Sequence, residues 1–324
     1  MKKKNGYKRF IYFSSMLLVL CMLSGCGKEQ EKTEEEINQD DVSVTESEAS
    51  GETAADGQTD QDADTETEAA QETESENMEE TPDGIRAEIG RVSKRQYKNT
   101  SNVLILNSTT REIQVRIPGN QEAEDKINLF FADRKAAYED TVEEYRDMAV
   151  SDLEMRTEEG LTEGWAGYEL GLDYEVKRAD ERMISIVENG YEYTGGAHPN
   201  AMRVAYNFNA QTGERMTLAD VASDLDEIRM KSMAYLGELL EEPEWSELLF
   251  SDYRNHLEDI LTDSTWYTDQ EGFHIICNEY IITPHSAGIL EFLLPYDEVD
   301  VVAEQFQPDG VRDDQSESLQ SNGD

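Results

Sequence analysis

Tyr168-Glu169-Leu170-Gly171-Leu172-Asp173-Tyr174-Glu175-Val176 is the stretch on which the fold turns, because large apolar residues recur there at every second position. That period puts Tyr168, Leu170, Leu172, Tyr174 and Val176 on one face of a strand. A turn at Ala179-Asp180 sends the chain back as Met183-Ile184-Ser185-Ile186-Val187, and residues 203–209 read as a third strand, closed by a turn at Gln211-Thr212-Gly213. Consecutive strands with short connections predict an antiparallel meander.

Upstream, Val103-Leu104-Ile105-Leu106 and Ile113-Gln114-Val115-Arg116-Ile117 read as a pair of strands, the second with strict alternation. Pro118-Gly119-Asn120 breaks the run. Ile127, Phe130, Phe131, Ala137, Tyr138, Val142, Tyr145 and Met148 then fall near helical spacing and predict a helix over 122–148. Downstream, Thr217-Leu218-Ala219-Asp220-Val221 predicts a helical turn, and helices follow at 225–240 and 252–261. Strands are expected at 266–268, 273–277 and 289–294, the last ended by Pro295-Tyr296. Helices segregated from runs of strands give an α+β class, antiparallel sheets with a few packed helices.

The N-terminus reads as a targeting segment. Lys2, Lys3, Lys4, Lys8 and Arg9 precede an apolar stretch over 10–23, short for a membrane span, which ends in Leu23-Ser24-Gly25-Cys26. That ending resembles a bacterial lipobox, which implies cleavage after residue 25, a diacylglycerol on Cys26, and anchoring on the outer face of the cell membrane of a Gram-positive bacterium. Residues 26–84 form an acidic tether with 22 acids against Lys28 and Lys32. So little apolar surface cannot offset the entropy of ordering, so disorder is expected; a neutral chain of this length would span about 45 Å, and self-repulsion should stretch it further. With +5 in the signal and −20 in the tether, the total of −44 leaves −29 for residues 85–324. This disfavours nucleic acid and anionic lipid as partners of the folded surface and favours a cationic one.

Residues 85–308 suffice for one large domain or two small intimate ones, and are divided here as 85–200 and 201–308, with a frayed tail over 309–324. The first is suggested by residues 113–119 and the helix starting near Lys126-Ile127-Asn128. The second is suggested by Tyr193-Thr194-Gly195-Gly196-Ala197-His198-Pro199-Asn200, by Tyr206-Asn207-Phe208-Asn209, by residues 217–221, and by Tyr280-Ile281-Ile282-Thr283-Pro284-His285-Ser286-Ala287-Gly288. Over residues 95–300 the pattern resembles two domains of unknown function found side by side in extracytoplasmic proteins. They occur in RsiV-type anti-sigma factors, which are lysozyme receptors, and in the front region of PdaC-type peptidoglycan deacetylases. Only nine residues precede the apolar stretch and a lipobox stands where RsiV-type proteins have their span, so an anti-sigma role is not expected. No motif for a deacetylase domain is seen. The resemblance implies the binding half of such proteins without their output half.

Chemistry is sparse. His198, His256, His274 and His285 are not spaced as a zinc site, no P-loop or Gly-x-Ser-x-Gly elbow occurs, and Cys277 in its strand reads as a small buried hydrophobe. No catalytic residue, metal ligand or cofactor is assigned. Two loops are candidates for binding, one with Tyr193, Gly195, Gly196 and His198, the other with Pro284 and His285. Each reads first as a tight structural connection and second as a ligand-contacting loop at a sheet end. The expected function is non-enzymatic binding in the cell envelope, of a lysozyme-like cationic protein or a cell-wall glycan. A peptidoglycan-modifying enzyme is the alternative.

Overall fold

The structure, a computed structural model, describes residues 84–309. The expected signal, the expected lipidation site Cys26, the expected tether to residue 83 and the expected tail from residue 310 lie outside them. The class is α+β, with three sheets and three α-helices among the described residues.

A five-stranded sheet dominates. Its order is β2 (Ser93–Lys98), β3 (Leu104–Thr110), β5 (Tyr168–Ala179), β6 (Met183–Tyr193) and β7 (Asn200–Asn209). The meander β5–β6–β7 pairs antiparallel throughout, as the alternation at Tyr168–Val176 predicts. The boundary expected at 200/201 falls at the first residues of β7, a strand that pairs with β6 over its length. A small second sheet joins β1 (Arg86–Ile89) to β4 (Ile113–Arg116), and a third has the order β10 (Leu290–Pro295), β9 (Gly272–Cys277), β8 (Trp266–Thr268). β3 and β4 are both present but do not pair with each other. Instead β3 runs parallel to β5, with Leu106 opposite Tyr168. A parallel neighbour needs a crossover, and helix α1 (Gln121–Glu159) supplies it.

Helix α1 outruns its expected end at 148 because Ala149 and Leu153 continue the buried stripe. Over 39 residues it spans about 58 Å. The Asn120 side chain accepts from the Ala123 N–H at its start, and Gly160 caps its end. One face of the sheet packs under α1, where Ile127, Phe131 and Tyr138 meet Leu172, Ile186 and Phe208. The other face receives the third sheet with helices α2 (Leu218–Val221) and α3 (Leu225–Leu239). β6 is buried on both sides. Ile184 and Ile186 face the α1 core while Met183 and Val187 face the other, which is why apolar residues stand at both odd and even positions of 183–187. The helix expected over 252–261 is two 3-10 turns, Tyr253–His256 and Glu258–Ile260, neither capped by a side chain.

Candidate functional site

The two candidate loops, far apart in sequence, meet. β6 ends at Tyr193 and β7 begins at Asn200, so residues 194–199 form the hairpin connection. Gly195 takes φ +83°, a left-handed conformation that residues with a Cβ disfavour. The Tyr193 hydroxyl donates to the Gly196 carbonyl at 3.0 Å and folds the loop on itself. His198 stands exposed, and its ring stacks on that of His285, centroids 3.8 Å apart and 20° from parallel. His285 opens a 3-10 turn directly after Pro284.

Glu279 and Tyr280 complete this rim. The Glu279 carboxylate accepts from His285 Nδ1 at 2.5 Å and is itself largely buried. Tyr280 is more than half exposed, its ring lies nearly parallel to His285 at 6.1 Å, and its hydroxyl sits 3.3 Å from His198 Nε2. Its φ of +66° is unusual for a side chain of this size and costs about 1–3 kcal/mol, held by the surrounding turn. The adjacent carboxylate Glu192 accepts from Asn200 at 2.7 Å and from the Tyr145 hydroxyl of α1.

A side-chain clamp fixes the rim to the sheet. Asn278 accepts from the Arg203 N–H at 2.8 Å and donates to the Arg203 carbonyl at 3.0 Å, imitating a neighbouring strand on the free edge of β7. Farther along that edge, Ala205 N–H donates to the Ser264 carbonyl at 2.7 Å.

Behind the rim lies a buried charged network. The Arg203 guanidinium reaches Glu291 at 2.7 Å, Glu175 at 3.2 Å and Asn189 at 2.9 Å. Tyr267 donates to Glu291 and stacks on His274, rings 4.4 Å apart. His274 Nε2 lies 2.9 Å from Asp269, off line for a good hydrogen bond, so the contact is an ion pair; Nδ1 faces Glu291 at 3.6 Å. Burial disfavours the charged imidazole, yet these two carboxylates raise its pKa above the ordinary histidine value. Burial also works against charge on Glu291, but His274, Lys177 and Arg203 hold its carboxyl well below the usual range. His274 is thus tied into a structural ion cluster within β9.

Of the remaining sequence candidates, Cys277 is fully buried and burial pushes its thiol up to about 12, so it is no ready nucleophile. His256 sits apart on the surface beside Asp259 at 2.9 Å. Among the described residues no three His, Cys, Asp or Glu side chains are grouped as a metal cage. Sequence reading missed Asn278 and Glu279, whose short polar run carries no periodic or motif signal. It also missed an open polar face of the large sheet, where Gln96 donates to Asn107 at 3.0 Å and Tyr191 lies 3.3 Å from Glu169.

Comparison with known proteins agrees with the tandem organisation. The family model described as deacetylase PdaC matches residues 104–201, and that of a protein of unknown function, DUF3298, matches residues 226–297. No curated protein matches the chain. Among solved structures, a DUF3298 family member from Bacteroides fragilis NCTC 9343 is 18% identical, covering 69% of this chain and 96% of its own, with a TM-score of 0.53. A DUF3298 family protein from Pseudomonas aeruginosa PAO1 is 16% identical over 70% of this chain and 98% of its own, with a TM-score of 0.43. The first likeness is one of fold. The chain therefore carries a PdaC-like region followed by a DUF3298 region, as expected, a combination of extracytoplasmic type and unknown function.

Proposed function

We propose that this chain is a non-enzymatic binding protein of the cell envelope, anchored on the outer face of the membrane by a lipid on Cys26. Its rim of Tyr193, His198, Tyr280 and His285 engages a cationic, lysozyme-like protein. The observation that carries this reading is the convergence of the two loops into one exposed aromatic patch flanked by Glu192 and Glu279. Aromatic side chains at a rigid rim provide contact area at low entropic cost, and the net charge of −29 on residues 85–324 steers a basic partner toward it. The buried ionisable groups, by contrast, are consumed in structural pairs such as Arg203–Glu291 and His274–Asp269.

The test is titration with a lysozyme and with an unrelated protein of similar basicity, at low and high salt. Binding that is specific to lysozyme, persists when exposed charges are screened beyond roughly 8 Å, and weakens on Tyr280→Ala supports the proposal. Equal binding to both proteins, lost together as salt rises, defeats it. For the anchor, Cys26→Ala is expected to abolish lipid attachment and normal membrane retention, since the two chains of a diacylglycerol are what give stable anchoring.

A second reading, a cell-wall glycan, has its own support in the open sheet face. Gln96, Asn107, Glu169 and Tyr191 present amides, a carboxylate and a phenol there, all exposed or half-exposed. Retention of soluble glycan fragments by the wild type and not by Tyr191→Ala would favour it.

A further inference from the structure

We infer that the cavity where helix α1 crosses the β1–β2 and β3–β4 turns is a binding site for a small phosphate-bearing anion, inorganic phosphate or a phosphomonoester. Residues 85–324 carry −29, yet Arg86, Arg91, Lys94, Arg95 and Lys98 stand within thirteen residues against a single acid, Glu88. Such segregation sets a local positive field into an acidic surface. Strand register decides where these cations point. Ser93 lies opposite Thr110 and Arg95 opposite Ser108, and the Ser108 hydroxyl is 3.1 Å from that of Tyr138 on α1. Directly opposed residues share a face of a sheet, so Ser93, Arg95 and Thr110 look toward the helix, while Lys94 takes the other face.

There, with Gly90, Arg91, Glu112 and Lys135, they enclose a cavity of about 120 Å³. Three cations and two hydroxyls face one carboxylate in this lining. The Gly90 N–H donates to the Glu112 carbonyl at 2.7 Å and pins the two turns together, while Glu139 on α1 holds the Arg95 guanidinium in place. Lys135 pairs with the Glu112 carboxylate, but both side chains are well exposed, and pairs of that kind contribute little. An arriving anion therefore takes Lys135 over at small cost. Guanidinium forks, an ammonium and hydroxyls all donate, and a phosphate group offers several charged acceptor oxygens to them. The cavity has room for several waters or one phosphate group. A long polyanion is repelled by the acidic surroundings, which selects a small ligand. No rim residue lines the cavity, so the site stands independently of the proposed partner binding.

The experiment is titration of the full chain with inorganic phosphate and with glycerol 3-phosphate in low-salt chloride buffer, followed by phosphorus NMR and calorimetry. Saturable binding of either probe at one site supports the inference, and the tighter of the two identifies the source. Arg91→Ala and Lys135→Ala should each weaken binding about tenfold, the scale of one charge-assisted hydrogen bond. Glu112→Gln should tighten it, because the competing carboxylate is gone and Lys135 is released. A purely structural role for these side chains predicts no such gain. Lys126→Ala, on the same helix but outside the cavity, should change nothing. Thermal melting of each variant checks folding, and Arg91, being exposed, is the safe substitution. The inference is overturned by absence of saturable binding to the folded wild type, or by affinity unchanged in both Arg91→Ala and Lys135→Ala. Weaker binding in Glu112→Gln, or equal affinity for acetate, overturns it as well.

Discussion

Replacing Asn278 by Ala tests how the rim is held. The substitution removes both bonds to Arg203, the 2.8 Å acceptance from its N–H and the 3.0 Å donation to its carbonyl. Two backbone groups on the β7 edge then lose their partners at a position only part-buried, so water compensates in part. A buried group left unsatisfied costs about 1–3 kcal/mol, and a net hydrogen bond is worth about 0.5–1.5 kcal/mol. The expected loss is about 1–3 kcal/mol, which for a folded region of this size lowers the melting temperature by roughly 2–12 °C. Amide hydrogen exchange is the sharper assay. Protection of the Arg203 amide should fall, and residues 278–288 should open locally before the sheet does. Asn278→Asp keeps the acceptor and loses the donor, so it should fall between wild type and alanine. Unchanged exchange at Arg203 in the alanine variant would refute the clamp.

Three further outcomes follow from buried features. Glu188 is fully buried on β6 and accepts from Arg134 of α1 at 2.8 Å, so Glu188→Ala should cost about 3–5 kcal/mol in urea denaturation, while the double change Arg134→Met, Glu188→Leu should recover most of it. For His274, whose pKa is raised on folding, the stabilisation is complete below its unfolded value of about 6.5 and is lost as pH rises through the folded value. Asp269 and Glu291 are depressed, so their contribution is present above about pH 4 and lost as pH falls. Denaturation across pH should therefore find the network strongest between about pH 4.5 and 6.5, and His274→Asn should remove the decline above that window. Finally, a Cβ on Gly213 would lie 2.6 Å from the Ala123 carbonyl oxygen at φ +70°, so Gly213→Ala should cost at least ~2 kcal/mol by thermal melting.

Sequence pattern reached the parts of this protein that are governed by local rules. The alternation from Tyr168 to Val176 marks β5 because a half-buried strand imposes a period of two, and the turn residues Gln211-Thr212-Gly213 mark a real reversal. The end of α1 was misjudged because its buried stripe thins to Ala149 and Leu153 between charged residues. β1 and β2 escaped notice since Arg86–Ile89 and Ser93–Lys98 are short, charged strands with weak alternation. The parallel pairing of β3 with β5 is a tertiary choice that no window of sequence contains. Likewise both candidate loops were visible as glycine- and histidine-bearing breaks, but their contact through His198 and His285 depends on how two hairpins dock. Arg203 and Glu291 read as ordinary charged residues at strand positions; only packing of the third sheet against the first makes them a buried pair.

The crossover between β3 and β5 also constrains the order in which the chain can fold. As synthesis proceeds, β2 and β3 can pair as soon as both have emerged, but the inner edge of β3 has no partner until Tyr168–Leu172 arrives. Throughout that interval Leu106 and Ser108 offer unpaired backbone groups, the kind of edge that recruits strands from other molecules. Helix α1 fills the interval, and helices form from local contacts within about a microsecond, much faster than non-local strand pairing. Once formed and packed on Ile113 and Val115, it shortens the search by carrying β5 back toward β3 as a semi-rigid arm. The long helix thus works as a kinetic guard on a vulnerable edge, and helix-breaking changes near its middle should increase aggregation during expression more than they reduce the stability of protein that has already folded.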